Sequence, residues 1–376
     1  MTTKSSVSPR LASDLSEIAT PALLIDLPTA ERNVRKMAEY VRSHRLDLRP
    51  HIKTHKSLSI ARLQMQAGAK GLTVAKIGEA EVMSEVSDDL LVAYPLVDRA
   101  RAQRVASLAK RQTVRVAVDS TTACDVITQA TSHYGSVAGI LVDVDVGFHR
   151  TGVQDVESAL RIAEHVERTD GLRLDGIMCF PGHLNSPPDQ QGQELSQIDR
   201  KLREVIDLWR EHGLKARIVS GGSTPTAYQS HLASALTEIR PGTYVYNDWN
   251  TVVGGQCGVG DCAGSVLCTV VSDAVPGKVV VDAGSKTLTS DRNVHLGEAG
   301  GYGHVIGYPD ARVVRLTEEH GEIDVKGCED RPAVGERLRI IPNHICPAVN
   351  LQDHFWIGQG EGSYERVRVD ARGLLS

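Results

Sequence analysis

The sequence predicts an α/β-plus-β protein, a (β/α)8 TIM-like barrel followed by a C-terminal antiparallel β domain. Three observations carry this reading. From about residue 20 to 250, short apolar runs of strand length alternate with segments of helical period. After about residue 255, the helical period gives way to apolar–polar alternation punctuated by Gly, Pro and Asp. The length of 376 residues, 41% hydrophobic and 24% charged, suits one large domain with a smaller companion. The expected layout is an N-terminal segment 1–19 that could join the C-terminal domain, a barrel over 20–250, and a β domain over 251–376.

ALLID (22–26) is the first expected barrel strand. LPTAERNVRKMAEYVRSH then reads as a helix, with Pro28 near its start and Val34, Met37, Ala38 and Val41 forming an i, i+3, i+4, i+7 stripe. DLRPHIK, GLTVA (71–75), DLLVAYP (89–95), TVRVAVDS (113–120), AGILVDVDVG (138–147), LRLDGIMCF (172–180), KARIVSGGS (215–223) and TYVYND (243–248) continue the strand series. Helical patterns such as DRARAQRVASLAKRQ and QGQELSQIDRKLREVIDLWREHG lie between them. About eight such units favour a closed barrel, with an open doubly wound sheet as the alternative. Beyond them, VLCTVVSDAVPGKVVVDAGSKTLT, HVIGYPDARVVRLTEEHGEIDV, GERLRIIPNH and RVRVDARG read as hairpin-linked antiparallel strands.

Composition removes several function classes. A net charge of −5 gives no global field for nucleic acid, and no apolar run approaches the roughly 20 residues of a membrane helix. The start MTTKSSVSPRLASDLSE lacks the apolar core of a signal peptide, and seven Cys is an odd number. Reduced thiols in a cytoplasm are therefore expected. Cys257 and Cys262 form CGVGDC, but no second pair accompanies them as a structural zinc site requires.

In a parallel barrel the segments just after each strand gather at one face. Here those segments are RPHIKTHKS (49–57), FHRTGV with Arg150, PGHLN with His183, GGSTPT, and RPGTYVYND. GGST and PGTY offer clustered backbone N–H donors of the kind that hold a phosphate, although Ser223 or Thr224 would also serve as a helix cap. A phosphate site together with a lysine at another strand end suggests pyridoxal phosphate, whose aldehyde needs an amine nucleophile. Lys53 and Lys56 are the candidates. If strand DLRPHIK runs to residue 53, alternation points His51 and Lys53 together into the barrel mouth and leaves Lys56 in the outgoing turn.

RPHIKTHKS, with TPALLIDL before it and GAKGLTVAKIGEAEV after it, resembles the signature of the D-threonine aldolase and eukaryotic-type D-serine dehydratase family. These are enzymes of pyridoxal phosphate on an alanine-racemase-like barrel. The likeness runs on through VDVDVGFHRTGV, VSGGSTPT, LTEIRPGTYVYND, VVVDAGSKTLTSD, TEEHGEI and PNHICPAVNLQD, nearly the whole chain. It implies that Lys53 is the Schiff-base lysine and that Arg150 partners the cofactor's phenolic oxygen. It implies a phosphate cradle of Gly221, Gly222, Ser223, Thr224, Gly242, Thr243 and Tyr244, and a metal site of His344 and Cys346. His51 lies beside the lysine, and His183 is a candidate general acid/base. Residues two apart on an extended strand face one side, so His344 and Cys346 could chelate one ion. Thiolate with imidazole suits zinc first, with manganese as the alternative.

An ion polarising a substrate's β-hydroxyl serves either β-elimination or retro-aldol cleavage of Cα–Cβ. The family's aldolases typically carry His-x-Asp-Pro-Thr at the metal motif and GGGTGS in the phosphate loop. His-Ile-Cys-Pro and GGSTPT here favour a D-serine dehydratase type of reaction, with low-specificity D-threonine aldolase as the alternative. A racemase or a non-catalytic cofactor carrier is less favoured, since neither needs His344 and Cys346. Phe180 departs from the family pattern, which often has tyrosine there. The resemblance also implies a homodimer acting on a small D-amino acid.

Overall fold

The computed structural model describes residues 11–360 and 362–376; residues 1–10 of the expected N-terminal segment lie outside the described residues. The chain divides into two compact units. One comprises the N-terminal stretch to Asn33 with Val245–Arg372, and the other Val34–Tyr244 with Gly373–Ser376. The first two strands, β1 (Leu11–Ala12) and β2 (Ala22–Asp26), belong to the former.

Eight parallel strands form the sheet of the second unit: β3 (Asp47–Leu48), β4 (Leu72–Val74), β5 (Asp89–Val92), β6 (Thr113–Val118), β7 (Ala138–Asp143), β8 (Leu172–Met178), β9 (Ile218–Gly221) and β10 (Glu238–Ile239). They run in the order β3-β10-β9-β8-β7-β6-β5-β4, and a bridge between His51 and Thr73 joins the two ends into a barrel. The helices associated with it are α1 (Leu27–Ser43), α2 (Leu58–Gln66), α3 (Ile77–Met83), α4 (Arg99–Leu108), α5 (Thr121–Tyr134), α6 (Val156–Glu167) and α7 (Gly192–Glu211). The α1 stripe behaves as its period demands, with Val34, Met37, Ala38 and Val41 all buried.

Strand alternation fills the barrel in layers. Leu91, Ala117, Leu141 and Met178 make an apolar cluster. Two residues earlier on β5 and β6 lie Asp89 and Arg115, which belong to a buried ion-pair network. Arg49 Nε donates to both Glu238 oxygens at 3.0 Å, and its Nη1 reaches Asp89 Oδ1 at 2.7 Å. Arg115 pairs with the same Asp89 and, through Nε at 2.7 Å, with Asp175. Pairing is what makes such burial tolerable. Two residues after Leu141, on the same face of β7, stands Asp143.

The other unit holds β11 (Gly264–Ser272), β12 (Lys278–Val281), β13 (His304–Val305), β14 (Arg312–Leu316), β15 (Gly321–Asp324), β16 (Arg337–Ile341), β17 (His354–Gly358) and β18 (Tyr364–Arg368). Strands β11-β12-β15-β14-β13-β16 follow one another, and β16 pairs back with β11, so six strands close a small antiparallel barrel. Its helices are α8 (Trp249–Val253), α9 (Ser285–Leu288) and α10 (Ile345–Leu351). β1 pairs with β18, the N-terminal stretch thereby joining this sheet.

Two strand expectations need correction. ALLID does not open the large barrel: β2 pairs antiparallel with β11 and parallel with β17. Its Ala22 and Leu24 pack with Ala12, Ile18, Leu267 and Trp356. A uniformly apolar run suits any strand covered on both faces, so its period does not name its partner. TYVYND is not a strand: Thr243–Val245 form a single 3-10 turn and Asn247 is left-handed at φ 52°. The eighth barrel strand is instead Glu238–Ile239, just before Pro241 and Gly242.

Candidate active site

RPHIKTHKS does not extend as a strand to Lys53. Pro50 has no N–H to continue a ladder, and after the His51–Thr73 bridge the backbone turns into a 3-10 helix, Ile52–Thr54. His51 caps that turn, its Nδ1 accepting the Lys53 N–H at 3.3 Å. The cluster's charges then separate by partner. Arg49 is neutralised by Glu238 and Asp89 inside the barrel, and Lys56 is buried against Glu79, Nζ to Oε1 3.1 Å. Lys53 is exposed, with Nζ 6.0 Å from the centre of the Phe180 ring.

Phe180, at the end of β8, is a wall shared with Arg150, whose Cζ lies 4.7 Å from its ring centre and 4.9 Å from that of Phe148. The two phenyl rings meet edge to face at 5.3 Å. The Arg150 loop is built on Asp145, whose Oδ1 accepts N–H groups of Gly147, Phe148 and His149 at 3.0 to 3.1 Å. Burial pushes that carboxyl up, but these donors outweigh it and hold it below the usual aspartate value. The exposed His183 ring reaches Gly147, where an added Cβ would stand 3.1 Å from His183 Nε2. Lys53, Arg150, Phe180 and His183 thus occupy one neighbourhood.

The two glycine-bearing loops meet beside it. Thr224 Oγ1 accepts the Gly242 N–H at 3.2 Å, pinning the loop after β9 to the loop after β10. Gly242 lies against the Lys53 turn: a Cβ there would sit 2.9 Å from the His51 carbonyl oxygen and 3.0 Å from Thr54 Oγ1. Only glycine permits this approach. Ser223 and Thr224 do not cap a helix; Thr226 precedes the 3-10 turn Ala227–Leu232, and its Oγ1 accepts the Ser223 N–H at 3.1 Å. Gly221 and Gly222 begin the first loop and Thr243 the turn after the second. Tyr244 is buried with its hydroxyl accepting from Gln64 Nε2 at 3.1 Å, so its side chain is committed to packing.

Two functional candidates escaped the sequence reading. Arg240 is buried and donates to Ser220 Oγ and to the Cys179 carbonyl, each at 2.7 Å; Ser220 in turn donates to Glu238 at 2.6 Å. The ion-pair network therefore ends on a guanidinium. Asp143 lines a small cavity with Phe148, Arg150, Thr151 and Phe180, and accepts from Thr151 Oγ1 at 2.8 Å. Burial raises its carboxyl to about 6. The available signal was an aspartate punctuating an otherwise apolar strand in ILVDVDV. His51 is held well below the usual histidine value by burial first, then by Lys53, Arg240, His55 and Arg150. Near neutral pH it is an uncharged ring amid cations. Clustered positive charge, a pinned glycine cradle and an exposed lysine fit an anionic aldehyde cofactor.

In the other unit, His344 and Cys346 do converge, but not by strand alternation. Strand β16 ends at Ile341 before Pro342; His344 is the extended N-cap of α10 and Cys346 lies in that helix's first turn. Their side chains interact, and Asp291 Oδ2 lies 3.6 Å from His344 Nδ1. Burial opposes the imidazolium, but Cys346, Asp291 and Asp248 outweigh it and lift His344 to about 11. Imidazole beside thiol is the donor chemistry of a borderline ion such as zinc. Among the described residues, no set of three or more His, Cys, Asp or Glu is arranged as a ready-made metal site. A two-ligand set leaves positions open.

Residues 25–248 match the family model of the alanine racemase N-terminal domain, and 263–357 that of a putative serine dehydratase domain. A 3-hydroxy-D-aspartate aldolase of Paracoccus denitrificans is 31% identical over 96% of this chain and 94% of its own. The chain belongs to the alanine-racemase-like family of D-threonine aldolases and D-serine dehydratases. It is a pyridoxal-phosphate-dependent lyase of that family, and its relatives take D-hydroxyamino acids in both branches. A D-threo-3-hydroxyaspartate dehydratase of Delftia sp. is 32% identical over 88% of this lyase and 92% of its own length. The D-threonine aldolase structure from Filomicrobium marinum superimposes at TM-score 0.90 with 30% identity, covering 98% of this lyase and 99% of that chain. Two solved D-threo-3-hydroxyaspartate dehydratase variants, each at TM-score 0.86 and 29% identity over 94% of this chain and covered to 96% and 98% respectively, replace a histidine and a cysteine two positions apart. The cysteine variant is described as metal-free. No helix among the described residues is long and apolar enough to cross a membrane.

Proposed function

We propose that this lyase is metal-dependent and eliminates the β-hydroxyl of a D-β-hydroxy-α-amino acid, yielding a 2-oxo acid and ammonia as a D-serine dehydratase does. The observation that carries the reading is the His344–Cys346 contact. Its spacing equals that of the histidine and cysteine replaced in the dehydratase variants. Bound at the barrel site, pyridoxal phosphate supplies an electron sink for the pair left at Cα; zinc, or manganese as the alternative, supplies Lewis acidity to a hydroxyl oxygen at His344 and Cys346.

The remaining work falls to the chain's own groups. Lys53 would hold the cofactor's aldehyde and move the Cα proton, and His183 would be the second acid/base group, since Phe180 offers no hydroxyl. Arg150 would partner the cofactor's phenolic oxygen and supply a positive charge there. Gly221, Gly222, Ser223, Thr224, Gly242 and Thr243 would hold the phosphate, with Tyr244 contributing backbone alone. Neutral His51 accepts the Lys53 N–H and keeps the turn in place.

A panel of D-serine, D-threonine and D-3-hydroxyaspartate, with and without EDTA, tests this. Ammonia and a 2-oxo acid, lost with chelator and restored by zinc or manganese, are expected. The rival reading is a low-specificity D-threonine aldolase, supported by the Paracoccus and Filomicrobium relatives. Glycine and an aldehyde as the products would establish it. Light scattering of the purified protein tests the homodimer that the family resemblance implies.

A further inference from the structure

Cys257 and Cys262 take no part in the cofactor or metal reading, yet the fold gathers them. The 3-10 turn Val259–Asp261 reverses the chain between them, closed by the Cys262 N–H on the Val259 carbonyl at 3.1 Å and the Gly258 N–H on Asp261 Oδ2 at 3.0 Å. The two thiols are close enough that each shifts the other's ionisation. Both are partly accessible, and Gly258, Val259 and Gly260 between them are exposed. Each sulfur also touches the start of α8. The Cys257 thiol donates to Thr251 Oγ1 at 3.5 Å and the Cys262 thiol to the Asp248 carbonyl at 3.8 Å. Asp248 and Thr251 are a reciprocal capping box. The same Asp248 carboxylate spans two helix starts, Oδ1 accepting the Thr251 N–H at 3.1 Å and Oδ2 the Ile345 N–H at 3.2 Å.

We infer that Cys257 and Cys262 are a redox-modification site, a dithiol that peroxide closes to an intramolecular disulfide and that thereby loosens the Asp248 anchor of α10. The neighbouring Cys262 thiol, the largest influence, pulls the Cys257 thiol below its ordinary value and marks it as the attacking sulfur. In the reaction the Cys257 thiolate attacks hydrogen peroxide, forming a sulfenic acid and releasing hydroxide, which takes up a proton to become water. Cys262 then attacks that sulfur, its proton leaving with the second oxygen as water. Overall two thiols and one peroxide give one disulfide and two waters. The product sulfurs stand about 2.05 Å apart, and neither retains a hydrogen for Thr251 or Asp248. Both weak S–H contacts on the capping box are lost while the turn is pulled tighter.

The full-length protein is treated with hydrogen peroxide, then with dithiothreitol, and read by peptide mass mapping and by hydrogen–deuterium exchange. A cross-linked peptide lighter by two hydrogens is expected, reversible by dithiothreitol and absent from Cys257→Ser and Cys262→Ser. Exchange in the peptide carrying Ile345 is expected to rise several-fold on oxidation in the wild type and to stay constant in both variants. Thiols that remain reduced, a cross-link to another cysteine, or a 257–262 disulfide that leaves Ile345 exchange unchanged overturns the inference. Both readouts are taken on chelator-treated protein, so that neither depends on metal occupancy at His344 and Cys346 or on turnover.

Discussion

Replacing Asp143 by Asn should stabilise the protein at alkaline pH and lose that advantage in acid. The carboxyl is buried behind Arg150 and Phe180, and its value rises from the ordinary 3.8 to about 6, first because of burial. Asp119 adds to the rise, while the Thr151 hydroxyl, Arg240 and Arg150 pull against it. A raised acid holds a proton in the folded state that the unfolded chain has already released between those two values. Folding stability therefore falls as pH rises through that window. About two pH units at 1.36 kcal/mol each give a penalty of about 3 kcal/mol above pH 6. Asn removes the charge and keeps an oxygen for Thr151. Urea unfolding of both proteins from pH 8 to pH 5 measures the difference, expected at about 3 kcal/mol near pH 8 and roughly half that near pH 5. A gap that does not change with pH, or an Asn variant less stable than the parent at pH 8, refutes the reasoning.

Lys53→Ala should abolish the visible absorption band of the bound cofactor, and a retained band would remove Lys53 from its role. Lys56→Ala should keep the band but strand Glu79, lowering unfolding stability by about 3 to 5 kcal/mol in urea. Gly242→Ala forces a Cβ against the His51 carbonyl and Thr54. Overpacking of about 1 to 3 kcal/mol translates into about 10- to 100-fold weaker cofactor binding by fluorescence titration, and unchanged affinity would detach that loop from the site. Tyr244→Phe should cost about 1 kcal/mol through the unpaired Gln64 amide and leave cofactor affinity alone; weakened binding would return the phenol to the site.

Much of the barrel was legible because its strands are apolar on both faces and its helices carry a clean stripe. The strand-end segments were legible too, since chain order in a parallel barrel decides which loops share a face. Arg240 and Asp143 were not. Each is a charged residue in an apolar strand or its immediate exit, and a sequence does not show which distant groups will neutralise it. The strand argument for Lys53 does not hold in the fold: alternation does not carry past Pro50, and what separates the two lysines is the Glu79 partner that α3 brings to Lys56.

By itself, then, the sequence determined the class of architecture, most of the barrel strands and the two motifs, RPHIKTHKS and PNHIC, on which the proposed chemistry rests. Local period and turn chemistry suffice for those, because they depend on which face of a segment is buried. Tertiary structure alone decided that ALLID pairs with β11 and β17, that Arg49 and Lys56 are spent on ion pairs while Lys53 stays exposed, and that His344 meets Cys346 at a strand-to-helix corner. Burial is written in the pattern of one segment. Partnership is set by another segment far along the chain, and only the folded molecule brings the two together.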